Sequence, residues 1–256
     1  MPTDDTLVAT LKRLRLFGLL ARIDEVRHEP WLERMIAIEL EDRTRRSLAH
    51  RIHRAGLGAF KPVCDFDWKW PKKIDRGLVD EIFTLRFIAD GANVVFLGPN
   101  GVGKTMLLRN LASRALNDGR HVVVRSASDL LADLAKQESS AARARRLTAY
   151  ARPHLLCIDE VGYLSYDARH ADLLFEVITR RYEKNKSIVL TTNKPFVEWQ
   201  TTFPNAACVV TLVDRLLHRA ELVAIDADSY RLRDAEERQK LRAATRRRTK
   251  EGPGTT

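Results

Sequence analysis

Near the start of the chain, apolar residues recur every three or four positions. Leu7, Leu11, Leu14, Phe17 and Leu20 fall on one side of a 3.6-residue spiral. That spacing predicts an amphipathic helix over 3–28, with N-cap side chains available between Thr3 and Thr6. Pro30, fixed in φ, suits the first turn of a second helix over 31–55, which Gly56 and Gly58 end. Residues 57–74 lose the period and gather breakers such as Lys61-Pro62 and Trp70-Pro71, the mark of a linker, before a short helix expected over 74–89. The aromatics Phe66, Trp68 and Trp70 in this stretch suit packing onto the following domain better than stacking on bases. Beyond Gly91 the period gives way to short β-branched, apolar runs at 93–97, 121–125, 155–160 and 187–193, as expected of strands buried on both faces. Helix-period stretches over 106–116, 128–135 and 173–183 separate them. Strand and helix in alternation predict an α/β fold on a parallel sheet, preceded by a small all-α domain. The expected division is an N-terminal helical domain over 1–60, a linker over 61–74, an α/β domain over 75–230 and a basic tail over 231–256.

The chemistry sits at the strand ends. Gly98-Pro99-Asn100-Gly101-Val102-Gly103-Lys104-Thr105 matches G-x-x-x-x-G-K-[ST] and lies between a strand and a helix, the context that makes this pattern a phosphate cradle. Glycines let backbone N–H groups wrap an anion, and the helix N-terminus adds its dipole. Nucleoside triphosphate, ATP in the first instance, is therefore expected against Gly98, Pro99, Asn100, Gly101, Val102, Gly103, Lys104, Thr105 and Met106. Lys104 would reach the β and γ phosphates and the Thr105 hydroxyl would join a Mg²⁺ shell. The strand at 155–160 ends in Asp159-Glu160, an expected metal ligand followed by a general base for the attacking water. A full strand-and-helix unit separates it from the phosphate strand, which permits a third strand to lie between them. Asn193, at the tip of another strand, falls on the ligand side of a parallel sheet, where it could orient water or merely cap a turn.

Composition then narrows the partners. The 256 residues carry a net charge of +10, which favours a polyanion, nucleic acid first, over a surface that is simply soluble. Between 43 and 54, Arg43, Arg45, Arg46, Arg51 and Arg54 occur with no acidic residue, a phosphate-contacting face in preference to a solvated one. Residues 231–256 hold nine basic and four acidic residues, and Arg246-Arg247-Arg248 before Gly252-Pro253-Gly254 suggests a flexible tail that touches phosphates. Cys64, Cys157 and Cys208 are odd in number and far apart, so buried reduced thiols are expected, not bridges or a metal site. No apolar run reaches membrane-spanning length, and the acidic start Met1-Pro2-Thr3-Asp4-Asp5 is unlike a signal peptide. A cytoplasmic location without membrane partners is the expectation.

Taken in order, the phosphate loop, Ile158-Asp159-Glu160-Val161-Gly162-Tyr163-Leu164, Leu190-Thr191-Thr192-Asn193-Lys194-Pro195-Phe196, Asp214-Arg215-Leu216-Leu217-His218 and Ser229-Tyr230-Arg231 resemble the IstB family. These are AAA+ ATPase helpers of insertion-sequence transposition, related to DnaC-type helicase loaders. The resemblance spans nearly the whole chain. It implies a P-loop NTPase of the AAA+, additional-strand catalytic glutamate type, a three-layer sandwich on a parallel five-stranded sheet. It further implies Lys104 and Thr105 as Walker A, Asp159 and Glu160 as Walker B, Asn193 as sensor and Arg215 as an arginine finger, with nearby Arg219 able to substitute. Such a finger acts on a neighbouring subunit, so a homo-oligomer with ATP at its interfaces is implied. By resemblance the protein hydrolyses ATP, assembles on duplex DNA, remodels it and presents it to a cognate transposase. Lys136, Arg143, Arg145 and Arg146 fall where related initiators place a DNA-facing helix, or else line a solvated face. A helicase loader is the alternative implied.

Overall fold

The computed structural model describes residues 4–163, 167–203 and 207–230, together with Arg233 and Gln239. Apart from Arg233 and Gln239, the basic tail, including Arg246-Arg247-Arg248, lies outside the described residues, as do Leu164 and Arg231 of the quoted motifs. By its own contacts the chain divides into two units, 1–53 and 54–256.

In the first unit the single helix expected over 3–28 is three: α1 (Asp4–Leu14), α2 (Phe17–Ala21) and α3 (Ile23–Val26). The break is a helix C-terminus built without glycine. Arg15 adopts φ 56°, and Leu16 N–H donates to Leu11 O at 3.0 Å, closing a Schellman-type turn. Leu11, Leu14, Leu32 and Ile36 are thereby buried together. α4 (Pro30–Ala55) begins on its proline and runs 26 residues; its last residues belong to the second unit.

The second unit opens with residues 57–75 packed against the α/β domain. Phe66 is buried, Val63 N–H donates to Asn110 Oδ1 at 2.9 Å and Arg109 donates to Ala59 O at 2.8 Å. The helix expected over 74–89 is split into α5 (Arg76–Ile82), capped by the Asp75 carboxylate at Leu78 N–H, and α6 (Arg86–Ala89). The divider is Leu85 at φ 66°, again a left-handed residue that is not glycine.

The sheet then forms from β1 (Asn93–Leu97), β2 (Val122–Ser126), β3 (Leu155–Val161), β4 (Ser187–Thr192) and β5 (Ala220–Ala224), all parallel, in the order β2-β3-β4-β1-β5. β4 lies between the phosphate strand β1 and the acidic strand β3. α7 (Lys104–Asn117) lies on one face. The other is covered by α8 (Ala127–Ala135), α10 (Ala168–Glu183) and α12 (Val209–Leu217), whose leucines and valines share a core with Val95, Leu156, Ile158 and Leu190. Each such side chain contributes about 1.5–3 kcal/mol when fully buried. The polar stretch 136–146 becomes a turn and α9 (Ser140–Ala151), capped by Ser139 at Ala142 N–H. α11 (Trp199–Thr202) is a single turn. Asn93 ties the starts of the strands, its side chain donating to Leu216 O at 2.8 Å and accepting from Ile188 N–H at 2.9 Å. The cysteines depart from expectation: all are free, but Cys157 alone is buried, while Cys64 is exposed on a short turn. Isolated thiols do follow hydrophobicity inward, but this turn offers Cys64 no core to enter.

Candidate nucleotide site

The C-terminal ends of β1, β3 and β4 converge on one cavity of about 360 Å³. Its floor is the glycine loop. Gly103 (φ 96°) is the N-cap of α7, and a Cβ there would stand 2.5 Å from the Phe66 ring. At Gly101 (φ 82°) a Cβ would stand 2.3 Å from Ser229 Oγ. Both positions therefore require glycine for backbone angle, and Gly103 also for space beside the buried Phe66 ring. No side chain caps α7 and its first turn has no acidic residue, so its leading N–H groups face the cavity with their dipole uncompensated. Lys104 is 8% exposed, and its Nζ donates to Gly98 O and Pro99 O, each at 2.7 Å, which holds the ammonium over the loop.

The carboxylates arrive from β3. Asp159 is 5% exposed, and its Oδ1 accepts from Thr105 Oγ1 at 3.1 Å and from Thr191 Oγ1 at 2.6 Å. Thr191 in turn accepts from Glu160 N–H at 2.8 Å. The β3–β4 register shifts between Ile158 and Val161, and Glu160 takes φ 62°. This bulge turns Glu160, alone among the β3 residues, out to the surface at the cavity. Asn193 lines the same cavity, and its buried Oδ1 has no hydrogen-bond partner among the described residues.

Thr105 and Asp159 offer hard oxygen donors, suited to Mg²⁺. Among the described residues no group of three or more His, Cys, Asp or Glu could hold a metal unaided, so such a cation would need oxygens from phosphate as well, as Mg²⁺ commonly does. A glycine cradle with open N–H groups, a buried lysine and an orphaned amide oxygen fits a nucleoside triphosphate.

The sequence did not single out Thr191, the hydroxyl that links both carboxylate residues to β4. Its signal was only its place two residues before Asn193. The walls were also missed as a site: Phe66, Trp70 and Tyr230 line the cavity, with Trp70 Nε1 donating to Asp228 O at 2.9 Å and Tyr230 N–H to Gly101 O at 3.2 Å.

Arg215 lies elsewhere. It is on α12, with a guanidinium nitrogen donating to Thr179 Oγ1 and Cζ 5.1 Å from the centre of the Phe175 ring. With Arg219 it lines a cleft beside Gly91 and Asn93 at the start of β1, a whole strand away from the phosphate loop. Among the basic residues expected at DNA, several have acidic neighbours: Arg43 pairs with Glu39 at 2.5 Å, Arg45 and Arg46 with Asp42, and Arg146 with Asp133. Arg51 donates to Ser47 Oγ at 2.7 Å. Arg54, Lys136 and Arg145 are exposed and Arg143 is half-buried.

The family model for IstB-like ATP binding protein matches residues 12–238. The ATP-binding protein of insertion sequence IS5376 from Geobacillus stearothermophilus is 33% identical over 223 residues, 86% of this chain and 88% of that protein. That of IS21 from Pseudomonas aeruginosa is 36% identical over 212 residues, 82% of this chain and 79% of the relative. Among solved structures, DnaI superposes with a TM-score of 0.53 at 20% identity over 68% of this chain and 90% of its own. The replication initiator DnaA bound to AMPPCP and single-stranded DNA gives 0.52 at 21%, over 69% and 56%. At these identities the two structures speak to the fold, which is that of P-loop AAA+ domains.

Proposed function

The chain belongs to the IstB-like ATP-binding protein family, and from that premise we propose that it is a Mg²⁺-dependent ATPase that assembles on duplex DNA, remodels it and assists a transposase. The observation that carries this reading is the contact of Thr105 Oγ1 with Asp159 Oδ1 at 3.1 Å, which joins loop and acidic strand across 54 residues. In this reading the N–H groups of residues 101–106 hold the phosphate oxygens and Lys104 draws charge from the β and γ phosphates. Thr105 and Asp159 hold the cation, which when bound would offset charge developing on the phosphates. Glu160 accepts a proton from the attacking water, and Asn193 orients that water through its otherwise unpartnered oxygen. Arg215 serves the γ-phosphate of a neighbouring subunit, since its own loop lies at the other end of the sheet.

Relatives named for insertion sequences favour a transposition role over the helicase-loader alternative. The test combines phosphate release with sedimentation of the full chain on duplex DNA. ATP and Mg²⁺ should drive assembly on the duplex, and Lys104→Ala should weaken ATP binding by roughly 100-fold, about 3 kcal/mol, the worth of one or two charged hydrogen bonds. Normal ATP affinity in that variant, or assembly indifferent to ATP, would refute the reading.

A further inference from the structure

The sheet has a second charged edge, at the opposite ends of its strands. His121, His154 and Lys186 each stand one residue before a strand. Because Val122 pairs with Leu155 and Leu155 with Ser187, these three share one row across β2, β3 and β4. Neighbouring strands are about 4.8 Å apart, so the row spans about 10 Å. His121 N–H donates to His154 Nδ1 at 2.9 Å, so in the neutral ring Nε2 carries the proton and is the remaining donor. Arg54 and Arg152 act on His121, and Arg120 and Lys186 on His154. The buried Arg181 stands behind His154 and donates to its carbonyl oxygen at 3.4 Å. The one acid described in an ion pair here is Asp118, bound to Arg120 at 2.9 Å. Among the described residues Arg54, Arg152 and Lys186 enter no ion pair, unlike Arg43, Arg45, Arg46 and Arg146. His121, His154, Arg54 and Arg152 are exposed.

Like charges gathered by the fold repel one another until an anion offsets them. We propose that this edge, formed by Arg54, Arg120, His121, Arg152, His154 and Lys186, docks the phosphate backbone of duplex DNA. The inference rests on the DNA-binding reading above and gives it a surface that sequence reasoning passed over, apart from Arg54. Each strand of a duplex carries one charge per about 3.4 Å of axis, so a row of this length can meet about three phosphates of one backbone. No Phe, Tyr or Trp stands in the row for unpaired bases to stack on, which favours duplex backbone over single strands. Partial desolvation of the two rings, exposed as the residues are, and then the surrounding cations hold both imidazoles below the ordinary histidine range, so they are predominantly neutral at pH 7. A docked phosphate raises them, and affinity therefore strengthens as pH falls from the bound toward the free folded values.

The experiment is fluorescence anisotropy of a labelled mixed-sequence duplex with the full chain, ATP and Mg²⁺ across a salt series. The double variant Arg152→Gln/Lys186→Gln should bind ATP normally. It should bind the duplex at least tenfold more weakly, with a log–log salt slope shallower by about 0.9 for each phosphate no longer neutralised. His121→Gln, which keeps a donor but cannot take up a proton, should lose part of the gain in affinity on acidification. Parent-like affinity and slope in the double variant, against a parent protein that binds duplex, would sink this surface alone. A parent protein that fails to bind duplex would sink it together with the DNA-binding reading beneath it.

Discussion

Glu160 occupies a backbone conformation that costs a non-glycine residue about 1 kcal/mol. Such strain survives where the surroundings enforce it, here the β3 bulge and the Thr191 hydroxyl that holds Glu160 N–H. The benefit is direction: a regular strand would send residue 160 to the face opposite Asp159, away from the cavity. Two substitutions separate side chain from strain. Glu160→Gln should leave ATP affinity within about threefold and slow hydrolysis by 10²–10⁴, on the order of what a general base supplies; unchanged phosphate release would remove the assignment. Glu160→Gly should slow turnover to a similar degree yet raise the melting temperature by about 2–4 °C, since glycine relieves roughly 1 kcal/mol of strain. A lower melting point in that variant would mean that the backbone angle is not strained.

At the scale of elements, the mutual placement of β3 and β4 depends on a buried cation. Arg181 of α10 is fully buried, and its two terminal NH2 groups donate to carbonyl oxygens: Tyr150 at 2.8 Å, Pro153 at 3.2 Å, His154 at 3.4 Å and Ser187 at 2.5 Å. Desolvation pushes its pKa down to about 9, still above neutral, so it remains a cation at pH 7. It therefore fastens the end of α9 and the turn before β3 to the first residue of β4, fixing the register that later brings Asp159 to Thr191. Arg181→Met keeps the bulk and strips the donors. With these carbonyls left unpaired the loss should be about 3 kcal/mol, a fall of roughly 6–12 °C in melting temperature, and a fall under 2 °C would contradict the fastening role. The same edge should be acid-sensitive. His121 and His154 have folded pKa values below their unfolded ones, so the unfolded chain takes up more protons. Their share of stability is present above the unfolded value near 6.5 and is lost as pH falls through the folded values. Thermal melts of the free protein from pH 7.5 to 5.5 should show that loss, reduced when both histidines are replaced by glutamine.

The whole molecule places phosphate loop and Arg215 at opposite ends of its sheet, a geometry that suits an active site shared between copies. Arg215→Ala should bind ATP normally and hydrolyse it about 10³-fold more slowly or worse. Mixing it with Glu160→Gln is the decisive measurement. Where the two alternate, an intact Glu160 meets a neighbour's intact Arg215, so the mixture should recover turnover that neither variant has alone. No recovery at any ratio would mean that the residue does not act across subunits. Among the described residues no helix is long and apolar enough to cross a membrane.

The amino-acid order alone determined the strands β1 to β4, the helix after the phosphate loop, and the loop itself with Lys104, Thr105, Asp159 and Glu160 in their places along the chain. Those features are local: runs buried on both faces and a glycine spacing are written in consecutive residues. It left open where helices break at Arg15 and Leu85, because left-handed turns without glycine arise only when surrounding packing outweighs their cost. β5 is apolar but for Glu221, yet at five residues it shows neither the alternation nor the helical period that would mark its type, and only one of its residues is buried. The bulge that aims Glu160, the carbonyl shell around Arg181 and the cationic row before β2, β3 and β4 came from the tertiary structure alone. Each joins residues tens of positions apart, and only the register of neighbouring strands brings such residues together.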